Sequence, residues 1–405
     1  MQDKFLKRIV ILVEDASTIG GIQTRTLKTI RNATDRQVEY FCLSIEHVNR
    51  MDFAAGLEDR FLAVSGDVAR ALKIIGSWDR GDTVIWFSNN TLSRFPDDVR
   101  SALEEFPLVF VGAGQLSFHI QYGRELQDPD FVRNFRTSGM MVLSRLDKLT
   151  YNQFGIYGQK IGFNPVEIRE ESSWTFSENR APTYIGRIKD GIKGTDRLIP
   201  IARYLANNSR GPLRIFTPSS GVDPKEIDRL LDLARKEGVE DVLDVRFDER
   251  NLDAMLAEAS VLLLPSRLEA FGNVILEAFS YGVPVASSAH APGPSELIDH
   301  GETGFLLENY DTEEFDEIFM HIDNEKMATE MSMRCFEKHN GFSVKKYLDL
   351  LESYSREILG EFDGRNHRVV FPYIPARPGS VLKSARITAA MIKGRIIRKL
   401  KKACG

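Results

Sequence analysis

Residues 260–288, SVLLLPSRLEAFGNVILEAFSYGVPVASS, contain an apolar run, a polar loop, an amphipathic segment and a second apolar run. This order predicts a strand, a loop, a helix that begins near Phe271, and a further strand of an α/β protein. Two glutamates lie eight positions apart, Glu269 just before the helix and Glu277 two turns inside it. Taken alone, the pair has an ordinary explanation that is about as good as a functional one. Glu269 would be favoured by the positive end of the helix dipole, and Glu277 would lie on a solvated face.

Apolar runs separated by helical segments recur on both sides of this stretch. In the N-terminal half they are KRIVILVED, VEYFCLSI, DTVIWFSN, PLVFVGAG and GMMVLS. In the C-terminal half they are TYIGRI, PLRIFTP, DVLDVRF, SVLLLPS, VPVASS and GFLLE, and a long final helix is predicted over FSVKKYLDLLESYSREILG. Such alternation is typical of parallel sheets that are covered by helices on both faces.

The length of 405 residues exceeds what one ordinary hydrophobic core accommodates, so we expect two such domains. The predicted organisation has an N-terminal domain over 1–165, a second domain over 166–345, a final helix over 346–364 that crosses back to the first domain, and a basic tail over 365–405. Ligands of open parallel sheets collect at the carboxyl ends of the strands, so we expect the chemistry at strand-to-helix turns of both halves.

The composition is that of a soluble globular protein, with 42% hydrophobic and 27% charged residues. No run of about 18 apolar residues occurs, and no small-residue cleavage site follows the first apolar run. Cys42, Cys335 and Cys404 are odd in number and far apart, which favours a reducing compartment. We therefore expect a cytoplasmic protein.

The predicted helix after Phe271 is suited to bind phosphate. Its first amides, at Gly272, Asn273 and Val274, would be unpaired donors at the positive end of the helix dipole. Gly272 removes a side chain where a ligand would come close to the backbone. Glu269 could then face the reacting end of a phosphate-bearing ligand, and Glu277 a more distant part such as a ribose.

Two further loops supply candidate residues. Arg187 and Lys193 follow the strand in YIGRIKDGIKG, and two cations beside a helix N-terminus can clamp a pyrophosphate and stabilise a departing phosphate. Gly20 and Gly21 in STIGGIQT open the first helix of the N-terminal domain. Arg and Lys are also common in ordinary loops, and a double glycine also marks an ordinary tight turn.

Together these residues resemble glycosyltransferase family 4, a family of retaining enzymes. The similarity covers roughly residues 8–360, and its specific part is residues 261–307, which include the family's E-x7-E pair at Glu269 and Glu277. The family's basic pair falls on Arg187 and Lys193, its early glycine loop on Gly20 and Gly21, and its interdomain element on GFNPVEI. The resemblance implies the GT-B fold, in which two Rossmann-like domains face each other across a cleft.

The resemblance also implies a role for each matched position. Glu269 would hold hydroxyls of the donor sugar and support charge near the anomeric carbon, and Glu277 would bind the nucleotide ribose. Arg187 and Lys193 would neutralise the leaving diphosphate, so neither a cofactor nor a metal is expected. The remaining donor contacts would come from Gly20, Gly21, Phe271, Gly272, Asn273 and Val274.

Some features depart from the family pattern. The basic pair is one residue wider than the commonest spacing, and IFTPSSG replaces the usual glycine-rich strand end. A histidine often follows the PLVFV strand in the family, but here the nearest one is His119, which is either an acceptor-side residue or an ordinary loop histidine. The histidines lack the paired spacing of a zinc site, and VGAGQLS lacks the third glycine of a dinucleotide fingerprint. Neither zinc nor NAD is therefore expected as a ligand.

The C-terminal segment has a charge and periodicity of its own. Residues 376–405 contain nine Lys or Arg and no acid, while the whole chain has a formal net charge of −5, so the remainder sums to −14. Apolar residues step by three or four along this segment, at Leu382, Ala385, Ala389, Ile392, Ile396, Leu400 and Ala403. A basic amphipathic helix over 380–403 is typical of binding to an anionic membrane surface. Docking on the acidic body of this chain or of a partner is the alternative.

The sequence therefore predicts a retaining glycosyltransferase that moves a sugar from a UDP- or GDP-linked donor to a glycan, glycolipid or envelope-polymer acceptor. It would be cytoplasmic, with a possible peripheral position on the inner face of the cell membrane, and would not bind nucleic acid. A catalytically silent homologue that serves as a glycan-binding or partner subunit is the alternative. The presence of Glu269, Glu277, Arg187 and Lys193 argues against that alternative.

Overall fold

The computed structural model describes residues 5–15, 21–46, 56–64, 67–88, 91–112, 135–172, 174–219, 221–249 and 251–368. Gly20, His119 and the predicted helix over 380–403 lie outside these residues. The chain divides into two compact units. Unit 1 contains the described residues up to Pro165 together with those from Val344 onward, and unit 2 spans Val166–Ser343.

Unit 1 is built on a parallel sheet with the order β3-β2-β1-β4-β5-β7-β8. Its strands are β1 (Arg8–Val13), β2 (Glu39–Ser44), β3 (Phe61–Ala63), β4 (Thr83–Ser88), β5 (Leu108–Val111), β7 (Gly139–Val142) and β8 (Lys160–Ile161). Helices α1 (Gly21–Arg31), α2 (Val68–Ile75), α3 (Thr91–Arg94), α4 (Asp97–Leu103) and α5 (Arg145–Gln153) connect them. Every residue of β4 and β5 is buried, as expected for central strands covered on both faces.

The last helix of the described chain, α14 (Val344–Glu361), belongs to unit 1. Tyr354 donates its hydroxyl to the carbonyl of Met140 at 3.2 Å, and the indole of Trp86 donates to the hydroxyl of Ser355 at 3.0 Å. The buried carboxylate of Glu352 accepts from the hydroxyl of Tyr40 at 3.2 Å. These contacts attach α14 to strands β2, β4 and β7. The short strand β15 (His367–Arg368) then pairs antiparallel with β6 (Arg136–Thr137).

Unit 2 is built on a second parallel sheet, with the order β11-β10-β9-β12-β13-β14. Its strands are β9 (Ala181–Ile185), β10 (Leu213–Thr217), β11 (Leu243–Phe247), β12 (Ala259–Leu264), β13 (Val285–Ser288) and β14 (Gly304–Leu307). Its helices are α6 (Asp190–Lys193), α7 (Leu198–Asn207), α8 (Pro224–Lys236), α9 (Leu252–Ala257), α10 (Asn273–Ser280), α11 (Pro292–Leu297), α12 (Thr312–Ile322) and α13 (Glu325–His339).

Each sheet changes its direction of winding once. In unit 2 the first strand, β9, lies between β10 and β12, so the chain adds strands to one side and then to the other. Unit 1 has the same arrangement around β1, which lies between β2 and β4. The carboxyl ends of two such central strands form the crevice in which doubly wound sheets bind ligands. In unit 2 this position lies between the loops that follow β9 and β12.

None of the helices in the described part of the chain is long and apolar enough to cross a bilayer. Cys42 and Cys335 are both buried and not in a disulfide.

Candidate active site

Lys193 and Glu269 meet at the switch point of unit 2. Lys193 ends the one-turn helix α6 in the loop after β9, and Glu269 lies in the loop after β12. The Nζ atom of Lys193 is 2.8 Å from Oε2 of Glu269. The two side chains are 27% and 16% exposed, respectively. This partly buried ion pair lies where the parallel neighbours β9 and β12 end.

Arg187 lies in the same loop as Lys193. The hydroxyl of Tyr184, a fully buried residue of β9, donates to the carbonyl of Arg187 at 2.7 Å and so fixes the backbone of this residue. Burial raises the pKa of Tyr184, the negative charge of Glu269 raises it further, and Arg187 opposes the shift. The Arg187 side chain is exposed and forms no ion pair with any residue that the structure describes. Its positive charge is thus available to an anionic ligand.

The two loops also approach each other closely at Gly194, directly after Lys193. Gly194 has a φ of 63°, and a Cβ at this position would lie 2.2 Å from the carbonyl oxygen of Pro265. Both the backbone conformation and the contact therefore require glycine. The amides of Arg267 and Leu268 donate to the carbonyl of Ile192 at 2.9 and 3.2 Å, which extends the contact between the loops.

Helix α10 begins at Asn273, two residues later than the predicted start near Phe271. The reason is Gly272, which caps the helix in the left-handed region with a φ of 86°. The amide of Ile275 donates to the carbonyl of Gly272 at 2.8 Å, and the positive end of the helix dipole favours an anion at this terminus. Asn273, Val274 and Glu277 are half-buried.

Phe271 is a buried residue of the predicted donor site, and its donor-binding role stays a prediction. Its ring is buried and packs edge-on against Phe342, with 6.4 Å between the ring centroids. The side chain therefore anchors the loop after β12 within unit 2, and only its backbone remains for a ligand. The amide of Gly293, at the start of α11, donates to the carbonyl of Glu269 at 2.9 Å and holds the same loop from the other side.

The predicted site residues thus fall into two groups. Unit 2 brings together Arg187, Lys193, Glu269, Gly272, Asn273, Val274 and Glu277 around the ends of β9 and β12. In unit 1, Gly21 is the first residue of α1, and residues 16–20 before it lie outside the described residues. The roles of Gly20 and His119 stay predictions, because both lie outside the described residues.

The sequence did not predict the residues that hold the two loops of the site in place. These are Tyr184, Gly194, Asp196 and Arg267. Gly194 follows Lys193 directly, and Arg267 precedes Glu269 by two positions. Their contact partners, Pro265 and Asp196, are far away in sequence, so no local pattern predicts these contacts. Within the described ranges, no group of three or more His, Cys, Asp or Glu side chains could hold a metal ion.

The site combines an exposed arginine, a lysine, a carboxylate and a helix N-terminus at the switch point of a Rossmann-type sheet. This arrangement is typical of α/β proteins that bind a phosphate-bearing nucleotide. Comparison with known proteins gives a narrower class. Residues 170–337 match the family model described as glycosyl transferases group 1, which supports a group 1 glycosyltransferase domain in this part of the chain.

Curated relatives are similar over the same region. The D-inositol 3-phosphate glycosyltransferase of Rhodococcus erythropolis is 34% identical over 139 residues, 33% of this chain and 31% of the relative. The N-acetyl-alpha-D-glucosaminyl L-malate synthase of Bacillus anthracis is 30% identical over 149 residues, 36% of this chain and 38% of the relative. An exopolysaccharide phosphotransferase of Streptomyces coelicolor is 31% identical over 166 residues, 40% of this chain and 17% of the relative. The chain spans less than half of the length of each of these relatives.

Solved structures are similar over most of the chain. HepE of Anabaena, in complex with UDP and glucose, superposes with a TM-score of 0.67 at 17% identity, covering 87% of this chain and all of its own. A sucrose-phosphate synthase from Thermosynechococcus elongatus has a TM-score of 0.64 at 15% identity, covering 88% of this chain and all of its own. At these identities the likeness shows the fold alone. It confirms the predicted GT-B fold of two parallel-sheet α/β units.

Proposed function

We propose that the protein is a retaining glycosyltransferase of family 4 that uses a nucleoside diphosphate sugar, with UDP as the favoured nucleotide. The observation that carries the proposal is the placement of Arg187, Lys193 and Glu269 at the switch point of unit 2. These residues lie inside the segment that matches group 1 glycosyl transferases. HepE, which has the same fold, has been solved with UDP and with UDP-glucose, and this supports UDP as the nucleotide.

The two cations would act on the leaving group. As the bond between the anomeric carbon and the diphosphate breaks, negative charge builds up on the departing phosphate. Arg187 and Lys193 stabilise that charge, and the positive end of the α10 dipole adds to the stabilisation. In this mechanism the two side chains provide the positive charge for the leaving group, so the reaction requires no metal ion.

Glu269 changes partner when the donor binds. In the structure its carboxylate pairs with Lys193 at 2.8 Å. A diphosphate carries more negative charge than one carboxylate and competes for the same lysine. Lys193 then turns to the phosphate, and Glu269 becomes an acceptor for hydroxyls of the donor sugar and a stabiliser of positive charge at the anomeric carbon. Glu277, two turns along α10, binds the ribose.

Transfer proceeds with retention of the anomeric configuration. The acceptor hydroxyl attacks the anomeric carbon from the face that the diphosphate leaves. One carbon–oxygen bond forms, the other breaks, and the hydroxyl proton passes to an oxygen of the departing phosphate. This route needs no separate protein base. The acceptor is a glycan, a glycolipid or an envelope polymer.

A nucleotide panel tests the proposal. Purified protein in EDTA is heated with UDP, GDP, ADP or the corresponding sugar nucleotides at about a hundred times the dissociation constant, where binding stabilises a fold by about 2.7 kcal/mol. We expect a raised melting temperature with UDP and release of UDP from a UDP-sugar in the presence of an acceptor extract. Product configuration is then measured by proton NMR. An inverted product would contradict the mechanism, and no shift with any nucleotide would favour a catalytically silent homologue.

A further inference from the structure

Arg267 joins the two loops that carry the proposed catalytic residues. Its guanidinium forms a bidentate pair with Asp196, with Nη1–Oδ1 and Nη2–Oδ2 distances of 2.5 and 2.6 Å. The Nη1 atom also donates to the carbonyl of Asp190 at 2.7 Å. Asp190 and Asp196 lie on either side of Lys193 in the chain. The side chain of Arg267 therefore holds both ends of the segment that presents Lys193.

The backbone of the same residue completes the attachment. The amide of Arg267 donates to the carbonyl of Ile192, the residue just before Lys193, at 2.9 Å. Glu269 follows Arg267 by two positions, so one short segment carries both the attachment and the acid. Helix α8 also contacts this segment, since Arg229 pairs with Asp190 at 3.1 Å, but the loop after β12 forms hydrogen bonds with it at both ends and carries Glu269 as well.

We propose that Arg267 is a positioning residue, which through Asp196 and the Asp190 carbonyl holds Lys193 where it can pass from Glu269 to a bound diphosphate. The inference rests on the proposed function, because it assigns a role relative to the diphosphate. Arginine suits this role because its planar fork satisfies a carboxylate and a third acceptor at once, which a lysine ammonium does in a less defined geometry. A displacement of about 1 Å in a group that contacts the reacting atoms can lower turnover by about a hundredfold.

The ionisation of the pair supports a permanent attachment. Hydrogen bonds to Asp196 raise the pKa of Arg267. Burial acts to raise the pKa of Asp196, but the hydrogen bonds and charge of Arg267 outweigh it and leave this pKa below its ordinary value. Both partners stay charged throughout the neutral range.

The test compares Arg267→Lys and Asp196→Asn with a matched control, Arg210→Lys. Arg210 pairs with Asp323 at 2.5 Å, and its side chain is 31% exposed against 32% for Arg267, but it precedes β10 at the amino ends of the parallel strands, whereas the site lies at their carboxyl ends. We expect Arg267→Lys to lower kcat for sugar transfer by about ten- to a hundredfold and to weaken UDP binding about fivefold or more. We expect Asp196→Asn to lower kcat and UDP affinity as well. Arg210→Lys should leave both within about twofold of the wild type, because an ordinary surface ion pair contributes little energy.

A double-mutant cycle separates positioning from general stability. If Arg267 acts through Lys193, then Arg267→Lys has little further effect on UDP affinity, under about twofold, once Lys193→Ala has removed the lysine. Circular dichroism confirms that each variant is folded, and Asp196→Asn replaces Arg267→Lys in the cycle if the latter does not fold. The inference would be overturned if Arg267→Lys weakened UDP binding equally in the wild type and in Lys193→Ala, or if it caused no loss of UDP affinity or turnover in an otherwise wild-type protein. A wild-type protein that binds no nucleoside diphosphate would instead overturn the proposed function, and the inference with it.

Discussion

The pairing of Lys193 with Glu269 is the central observation at the scale of single residues. A lysine that is already paired with a carboxylate must give up that contact before it can serve a phosphate. If Lys193 binds the donor phosphate as proposed, the ion pair competes with the nucleotide and lowers its apparent affinity. It also makes the two residues interdependent, so that a change in either should alter the behaviour of the other.

Glu269→Gln tests this interdependence. The amide keeps the shape of the side chain but cannot stabilise positive charge at the anomeric carbon, so we expect turnover to fall at least about a hundredfold, the effect of losing one well-placed electrostatic group. Because Lys193 is then free of its partner, UDP affinity should be unchanged or tighter. Steady-state kinetics and calorimetric titration measure the two quantities.

The control for this substitution is Glu237→Gln, which removes a carboxylate that pairs with Arg203 on the helical surface of unit 2. It should change neither turnover nor affinity. Equal turnover of Glu269→Gln and the wild type would show that Glu269 does not act on the reacting sugar.

The placement of Glu269, Lys193 and Arg187 in loops after strands was predictable from the sequence, because each follows an apolar run. Their choice as site residues rested on the resemblance to glycosyltransferase family 4, and their roles stay predictions. Arg267 and Asp196 were not predictable as partners. They lie 71 positions apart, and only the pairing of β9 with β12 brings them together. The inward packing of Phe271 was also not predicted, because an aromatic residue beside a glycine fits a ligand contact as well as a core position.

At the scale of elements, the site depends on the contact between two loops more than on any helix. Gly194→Ala tests this contact. The alanine would have to adopt a φ of 63°, and its Cβ would lie 2.2 Å from the carbonyl oxygen of Pro265. The loop that presents Lys193 must therefore move. A left-handed conformation at a residue other than glycine costs about 1–2 kcal/mol, and the collision adds to that. We expect a lower melting temperature and a loss of turnover that exceeds the loss of stability.

Gly238→Ala is the matched control for this prediction. Gly238 has a similar φ of 68°, but a Cβ there would meet nothing within 4 Å. It should therefore lower stability through backbone strain alone and leave turnover of the folded protein unchanged. Identical kinetics in the two variants would show that the close approach of the loops does not matter for the site.

The ion pair of Arg267 and Asp196 should make part of the stability dependent on pH. The pKa of Asp196 is lowered in the folded state, so its contribution is fully present above its ordinary value of about 4 and is lost as the pH falls through the lowered folded value. Asp196→Asn should thus be less stable than the wild type at pH 7, and the difference should shrink below about pH 4. Urea midpoints at pH 7, 5 and 3 measure it. A difference that stays constant over this range would contradict the assigned ion pair.

The sequence predicted every strand of unit 2 and the central strands of unit 1, since strands of parallel sheets are nearly continuous apolar runs. It missed the short strands β3, β6, β8 and β15, which have only two or three residues each. It was less accurate at the helix ends. The start of α10 was placed near Phe271, although Gly272 in the left-handed region delays it to Asn273. Helix α6 was interpreted as loop, because four residues are too few to show a helical periodicity.

At the scale of the whole molecule, two sheets share one strand order around their first and fourth strands, although the two halves have no detectable sequence repeat. The order follows from packing rules for parallel strands and does not require similar residues. What the sequence predicts for the basic segment after residue 375 stays a prediction, because the segment lies outside the described residues.

The predicted amphipathic helix over 380–403 can be tested on the full chain. Each basic residue near an anionic surface contributes about 1 kcal/mol, so the intact protein should sediment with vesicles that contain phosphatidylserine and should be released by high salt. A protein shortened before residue 380 should not sediment, yet should keep the thermal shift with UDP. Binding to neutral vesicles alone, or equal sedimentation of both proteins, would contradict an electrostatic membrane attachment.

The most direct test of the central claim is a calorimetric titration of UDP in EDTA into wild-type protein, Arg187→Ala and Arg334→Ala. Both arginines are exposed in unit 2 and form no ion pair among the described residues, but Arg334 lies on α13, away from the switch point. Hydrogen bonds to charged groups contribute about 1.5–3 kcal/mol, so Arg187→Ala should weaken UDP binding by about tenfold or more. Arg334→Ala should bind like the wild type. Equal affinity of all three proteins would show that the loops after β9 and β12 are not the nucleotide site.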